Sequence, residues 1–421
     1  MAQFFRTYKT VIAIMVTTAV TMMGQGIISP VLPLFAKEFG IGMAMVGVTV
    51  AVFSLGRIFF NVPAGMVAER YGRRIVLIGG LLIITIASVL MALSHSFVEM
   101  VIYRFFTGVG SAIYLTGALT TLADISTNDN RARYMSYQQG SLLFGSSLGP
   151  AVGGFAAELW GFRSAFYILA GLSALGLLWA MLQLPETAKL GGAPAPARER
   201  GQPRQPSQGA GAVKTLLTLI ASLDFLLVSF YFFMVVFTRN GGRGSLLPLV
   251  GDAQAGLGPG ALGVIFTVMA LINFFIVIPA GWLADRYGRK MLMLPGALLT
   301  SAGLVAFIFC HSFWPFLGAA VVLGIGTGVV GPAPAAFIAD LAPAGGRGLA
   351  IGLFRTFGDV GGMIGPVLLG WMADAGTFGW ALNTNAALVV VSAIGVAVFA
   401  REAARGRQGQ GVAPEGRPPP S

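Results

Sequence analysis

Cysteine occurs once in the 421 residues of this chain, at Cys310, and histidine twice. A single thiol permits neither an intramolecular disulfide nor a cysteine-based metal site. The two histidines, His95 and His311, stand in matching His-Ser-Phe segments that read as helix starts and not as halves of a metal centre. Charge is the larger deficit, because 10% of the residues are Asp, Glu, Lys or Arg, against roughly a quarter in a soluble domain. That excludes an ordinary soluble globular protein. Stretches such as Ile75 to Leu93 and Ala381 to Ala400 hold no Asp, Glu, Lys or Arg at all, and runs of about 20 apolar residues are what a membrane-crossing helix needs. Regular alternation of apolar and polar residues is missing, and with it the transmembrane β-barrel. The net charge of +11 does not point to nucleic acid, since the cations fall mostly in short loops between apolar runs, where cytoplasmic retention accounts for them. Gly110 and Gly326-x-Gly328 lie inside apolar runs, where a phosphate cradle has no context. No enzyme activity, metal or cofactor is expected.

Hydropathy with Gly and Pro punctuation predicts twelve spans, near 11–35, 42–66, 74–94, 97–124, 133–158, 162–184, 225–249, 258–282, 290–310, 313–340, 348–373 and 379–400. The expected fold class is an all-α membrane protein with twelve transmembrane helices in two six-helix bundles, residues 1–185 and 215–400. Residues 186–214 are rich in Pro, Gly, Gln and Arg without apolar periodicity and read as a flexible linker; 401–421 read as a disordered tail. The first span starts near Val11 behind Arg6 and Lys9, with no small-residue cleavage site, and reads as a retained helix. With both termini placed in the cytoplasm, 20 Lys and Arg lie on the inner side and two, Lys37 and Arg163, on the outer side, the other five being in spans. Such a bias fixes the orientation in the cell membrane and favours an even number of spans.

The halves repeat. PAGMVAERYGRR at 63–74 returns as PAGWLADRYGRK at 279–290, an offset of 216, which also carries His95 to His311, Asp124 to Asp340, Arg131 to Arg347 and Gly149-Pro150 to Gly365-Pro366. One register held across separated segments implies duplicated bundles of parallel topology, with a functional cavity between them near the membrane midplane.

Two repeated motifs carry more. Gly65-x-x-x-Glu69-Arg70-x-Gly72-Arg73-Arg74 recurs as Gly281-x-x-x-Asp285-Arg286-x-Gly288-Arg289-Lys290. A glycine at a helix end admits a close neighbour, and an acid beside a helix N-terminus is favoured by its dipole. The pattern resembles the signature loop of the major facilitator superfamily, and the resemblance covers the chain except its linker and tail. It implies that Glu69 faces the start of helix 11 near Arg347, that Arg73 pairs with Asp124, that Asp285 faces the start of helix 5, and that Arg289 pairs with Asp340. Together they would form a cytoplasmic gate, shut while the cavity opens outward. The family usually has Asp where Glu69 stands, which implies a longer contact there. In helix 5, Gly145-x-x-x-Gly149-Pro150-x-x-Gly153-Gly154 allows tight crossing and a bend; helix 11 keeps a weaker copy at Gly361, Gly365, Pro366 and Gly370. This resembles the antiporter motif of the superfamily's drug and metabolite exporters.

Ionisable residues within spans are expensive and therefore functional candidates. Helix 2 has Arg57 and Asn61 one turn apart, helix 7 has Arg239, Asn240 and Arg243 when Pro248 is aligned with Pro33, and helix 8 has Asn273 at the repeat position of Arg57. Helix 4 has Arg104 in Arg104-x-x-x-Gly108-x-Gly110, resembling the exporters' helix 4 signature, in which the arginine is associated with proton coupling. Helix 11 has Arg355 and Asp359 at i and i+4. Structural alternatives stay open: Arg355 and Asp359 as a self-neutralised pair, Arg104 snorkelling from an outer helix end, and Arg239 and Arg243 in an outer loop if helix 7 begins near Thr215. Five arginines against one span carboxylate create a positive cavity that attracts anionic or polar groups, whereas exporters of cationic drugs typically place carboxylates in first-half helices. Gln25 and Asn240 add neutral hydrogen-bonding groups. The resulting expectation is a monomeric transporter exporting a small organic molecule, anionic or amphiphilic, in exchange for protons, with Asp359 as the coupling acid. An uptake carrier for an organic anion and a non-transporting receptor on the same fold are the alternatives.

Overall fold

The computed structural model describes residues 2–127, 130–184, 218–331, 333–341 and 347–400. The predicted linker 186–214 and tail 401–421 lie outside the described residues. The first bundle comprises α1 (Ala2–Lys37), α2 (Met43–Tyr71), α3 (Arg73–Ala92), α4 (Phe97–Ile125), α5 (Arg131–Trp160) and α6 (Phe162–Gln183). The second comprises α7 (Leu223–Ala255), α8 (Pro259–Tyr287), α9 (Arg289–Ala306), α10 (Phe313–Val330, resuming as Ala333–Leu341), α11 (Arg347–Ala375) and α12 (Phe378–Phe399). Among the described residues, eleven helices are long and apolar enough to cross a membrane. The twelfth, α11, is as long but carries Arg355, Asp359 and Asp374.

Several helices outrun the apolar runs that predict them, because their final turns are polar. α2 and α8 continue to Tyr71 and Tyr287 and stop at Gly72 and Gly288, whose φ of 101° and 106° belong to a region essentially reserved for glycine. This makes the motif glycine a structural requirement for the turn into α3 and α9. At the other loop ends, Ser96 caps α4 by accepting the Glu99 N–H at 3.3 Å while the Glu99 carboxylate accepts the His95 N–H at 2.9 Å. His95 is therefore part of a helix start.

Within each bundle, glycine lets backbones touch. A Cβ on Gly145, Gly149 or Gly153 of α5 would lie 2.1, 2.3 and 2.0 Å from the carbonyl oxygens of Ala19, Met23 and Ile27 of α1. The copies Gly361 and Gly365 of α11 meet the carbonyls of Phe233 and Phe237 of α7 in the same way, at 2.3 and 2.6 Å. α5 runs unbroken through Pro150, so these glycines serve close crossing, and the motif's expected bend is not expressed as a break. Gly26 against Gly149 corresponds to Gly241 against Gly365. From Met23 to Gly26 and from Phe237 to Gly241, α7 has therefore gained one residue relative to α1. That residue is absorbed by a π-helical stretch, Thr238–Leu246, the usual outcome of a single insertion in a helix and a frequent mark of a functional site.

The bundles meet along two symmetry-related seams, α2 with α11 and α5 with α8. Gly47 packs on the carbonyl of Pro366 and Gly370 on that of Met43; their repeat mates, Gly263 and Gly154, pack on those of Pro150 and Pro259. Further along, Ala151 N–H donates to Thr267 Oγ1 at 2.8 Å and Phe144 faces Phe274 at 6.5 Å. Beyond the helix midpoints the seams part: nothing lies within 4 Å of a Cβ built on Gly65, Gly140, Gly281 or Gly352, one on each of the four helices. The molecule is thus closed at one face and open at the other, where the α2–α3 and α8–α9 turns lie. We call the latter the basic face.

Candidate substrate cleft

The closed face is sealed by acids set over helix N-termini. Asp374, at the end of α11, accepts the N–H groups of Met43 and Ala44 at the start of α2, both at 2.8 Å. Its repeat mate Glu158, at the end of α5, lies over Gly260 at the start of α8. A carboxylate at a helix N-terminus satisfies orphan donors and the dipole together. Lys37 of α1 adds an ion pair to Asp252 of α7 at 2.9 Å. The sequence places Lys37 on the outer side without a partner and gives no role to the other three, although the offset of 216 relates Glu158 to Asp374.

The gate motif at the basic face looks different from its expected form. Arg73 Nε donates to Asp124 at 2.6 Å and Arg73 Nη1 to the Ala68 carbonyl at 3.1 Å; Arg289 pairs with Asp340 and also donates to the Ala336 carbonyl. Both predicted pairs exist, but each joins neighbouring helices of one bundle, and both are formed while the seams are apart at this end. They fasten α3 to α4 and α9 to α10 and do not lock the halves together. Gly65 and Gly281 approach no neighbouring helix here for the same reason. Arg70 stacks beside Tyr71 at 5.4 Å and Arg286 over Trp282 at 5.2 Å. The side chains of Glu69, Asp285 and Arg347 lie outside the described residues.

Where the α2–α11 seam ends, the charged residues converge. Arg57 Nη2 of α2 stands 3.8 Å from Asp359 Oδ1 of α11. This corrects the expected pairing of Asp359 with Arg355: the two are neighbours along one helix, but the carboxylate reaches across to the other bundle. Arg355 and Arg239 both remain close enough to interact electrostatically with Arg57 and Asp359, and Arg243 with Arg239. Arg239 and Arg355 are solvent-exposed yet sit mid-helix among these groups, which places their heads in the open cleft. The alternative of an outer loop for Arg239 and Arg243 fails, since both belong to the π-helical stretch inside α7. Arg243 lies 6.0 Å from the Phe266 ring. Asn240, beside them, donates to Ser54 of α2 and to the Gly362 carbonyl of α11, both at 3.4 Å, so α2, α7 and α11 meet there. Asn61 stands one turn nearer the basic face on α2, with no hydrogen bond among the described residues.

Three predicted residues, Gln25, Arg104 and Asn273, are elsewhere. Arg104 is buried in the first bundle, its guanidinium 4.5 Å from the Phe53 ring and Nη1 3.4 Å from Gln25 Oε1, so it does not snorkel. Asn273 turns into the second bundle and donates to Thr327 at 3.1 Å. Its repeat mate is Arg57, while Asp359 corresponds to Leu143. The α5–α8 seam therefore has no counterpart of the ion pair, and the charge is confined to one side of a symmetric frame. Among the described residues no group of His, Cys, Asp and Glu is arranged to hold a metal.

Two six-helix bundles around a polar cleft open at one face define the class of membrane transporters. A sequence profile of the Major Facilitator Superfamily matches residues 14–252 and 233–420, and the chain belongs to that superfamily. It is 25% identical over 354 residues to the quinolone resistance protein NorA of Staphylococcus aureus, covering 84% of this chain and 87% of the relative. Its fold is similar to a bacterial homologue of the human lysosomal transporter Spinster in an inward-facing, occupied conformation, with TM-score 0.76 and 16% identity over 92% of this chain and 95% of the other. It is also similar to a D-xylose-proton symporter, with TM-score 0.74 and 17% identity over 93% and 98%. The relatives are transporters, not enzymes.

Proposed function

We propose that this protein is a proton-coupled exporter of a small organic molecule, working by alternating access as a monomer in the cell membrane. The observation that carries the reading is the Arg57–Asp359 pair, which spans the two bundles where the seams part. A charge pair at that place responds both to protonation and to cargo, and it changes as the bundles rock. Support for export comes from the helix 5 glycine motif and from the similarity to NorA. The excess of lysine and arginine at the basic face supports placing that face and both termini in the cytoplasm. The structure is then inward-open, with residues 1–185 and 215–400 as the rocking units, 186–214 as their linker and 401–421 as a tail. When the cleft closes, Gly65, Glu69, Arg70, Gly281, Asp285 and Arg286 form the cross-bundle contacts, on helix ends held by Arg73–Asp124 and Arg289–Asp340. Arg57, Asn61, Arg239, Asn240, Arg243 and Arg355 contact the cargo.

A specific observation favours a second reading, an uptake carrier for an organic anion: four cleft arginines face a single carboxylate. Everted membrane vesicles with an acid-inside gradient separate the two, with a fluorescent quinolone as the first probe. Gradient-driven accumulation supports export. Movement of quinolone that ignores the gradient, or none in excess of vesicles lacking the protein, contradicts it.

A further inference from the structure

We propose that the cargo is an organic monoanion, such as a carboxylate, that takes Arg57 from Asp359, so that anion and proton bind together. The inference deepens the second reading above and rests on it.

Arg57, Arg239, Arg243 and Arg355 bring four guanidinium groups to one cleft, and among the described residues Asp359 is the sole carboxylate within ion-pair distance of any of them. It holds Arg57 at 3.8 Å, well beyond the roughly 2.7–2.9 Å of a well-formed charge-assisted hydrogen bond. Arg57 Nε is buried without a hydrogen-bond partner. Other charges near Asp359 are few. Arg239 faces it from α7 and Arg355 from its own helix, and α12 contributes no ionisable residue. Glu69 and Arg70 of α2, Asp224 and Asp252 of α7, Asp340 of α10 and Asp374 of α11 stand near the ends of their helices. The architecture does not demand the pair, since its repeat mates are Asn273 and Leu143.

Like charges gathered in one cleft repel one another until an anion arrives. A carboxylate that settles on Arg57 removes the nearest counterion of Asp359 and sets a second negative charge beside it. Taking up a proton relieves this: an O–H bond forms on Asp359 as the donor, hydronium or a buffer acid, loses its bond to that proton, and the added charges of cargo and proton cancel. By reciprocity, protonation of Asp359 frees Arg57 and favours the anion. A cationic cargo would do the reverse, pairing with Asp359 and expelling its proton.

The test uses the purified full-length protein and three probes of one shape and different charge: benzoate, benzamide and benzylammonium. Binding is followed by calorimetry, and proton exchange by an indicator dye in weak buffer. We expect benzoate to bind with uptake of up to about one proton, its affinity falling as the pH rises, by up to about tenfold per pH unit. Asp359→Asn should bind benzoate at least as well, without pH dependence or proton uptake, and Asp359→Glu should restore the uptake. Arg57→Gln should weaken benzoate at least about tenfold, a loss of about 1.4 kcal/mol. No benzoate binding by the wild type, or weaker binding by a folded Asp359→Asn, overturns the proposal. Preference for benzylammonium with proton release also overturns it, while leaving the exporter reading standing. Failure of transport altogether would appear separately, as wild-type proteoliposomes with no gradient-driven flux.

Discussion

Arg104 shows how a buried cation survives without a carboxylate. It is 8% exposed, and its contacts are the Phe53 ring, Gln25 Oε1 and Thr107 Oγ1. A desolvated cation–π contact contributes about 2 kcal/mol, so Phe53→Leu should destabilise the protein by about 1–2 kcal/mol in thermal unfolding and lower transport. Phe53→Trp should preserve both. An unchanged melting temperature in Phe53→Leu would remove the ring from the account. The sequence identifies which charged residues lie in spans, because charge inside an apolar run is conspicuous. It does not give their partners. Spacing of four residues favours Arg355 for Asp359, whereas the rotation of α11 against α2 delivers Arg57. Glu158 and Asp374 escape notice for the opposite reason, since an acid at a helix end looks like an ordinary loop residue.

Helices are more legible than their contacts. The spans near 97–124 and 162–184 match Phe97–Ile125 and Phe162–Gln183 closely, because apolar length dominates there. Hydropathy predicts helix 7 at 225–249, through its polar middle TRNGGRGSL, whereas it runs Leu223–Ala255, since its last turn, GDAQA, is polar and is held by neighbours, Asp252 by Lys37. The glycine motif has a direct test. Gly149→Ala would place Cβ 2.3 Å from the Met23 carbonyl and 2.6 Å from the Ile27 nitrogen, both rigid backbone. Separation of α1 from α5 should cost about 1–3 kcal/mol. Gly79→Ala in α3 meets nothing within 4 Å and should be neutral or stabilising by up to about 1 kcal/mol. Equal melting temperatures for both variants would contradict the crossing argument. The closed face offers a second test at this scale. Asp374→Ala removes a cap of about 1 kcal/mol and leaves the α2 N–H groups of Met43 and Ala44 unanswered. A state open at that face should gain severalfold in population. In a Cys310→Ser background, labelling of Ser54→Cys by an impermeant thiol reagent from outside the cell should rise accordingly; no rise would remove Asp374 from the gate.

At the scale of the molecule, duplication supplies the frame and asymmetry supplies the chemistry. Gly47 and Gly370 repeat as Gly263 and Gly154, and Asp374 repeats as Glu158, so the closed face is built twice from one plan. The ion pair is built once, on the α2–α11 seam. If the basic face is cytoplasmic, tags at either terminus should resist protease added to intact cells and be cleaved in everted vesicles; cleavage in intact cells would reverse the orientation. In this reading Asp359 couples proton movement to the rocking of the bundles, because among the described residues it is the carboxylate that joins them inside the cleft. Transport by Asp359→Asn in proteoliposomes, with and without an imposed proton gradient, tests it most directly. Downhill exchange should survive while gradient-driven accumulation is lost. Accumulation at the wild-type rate would contradict it.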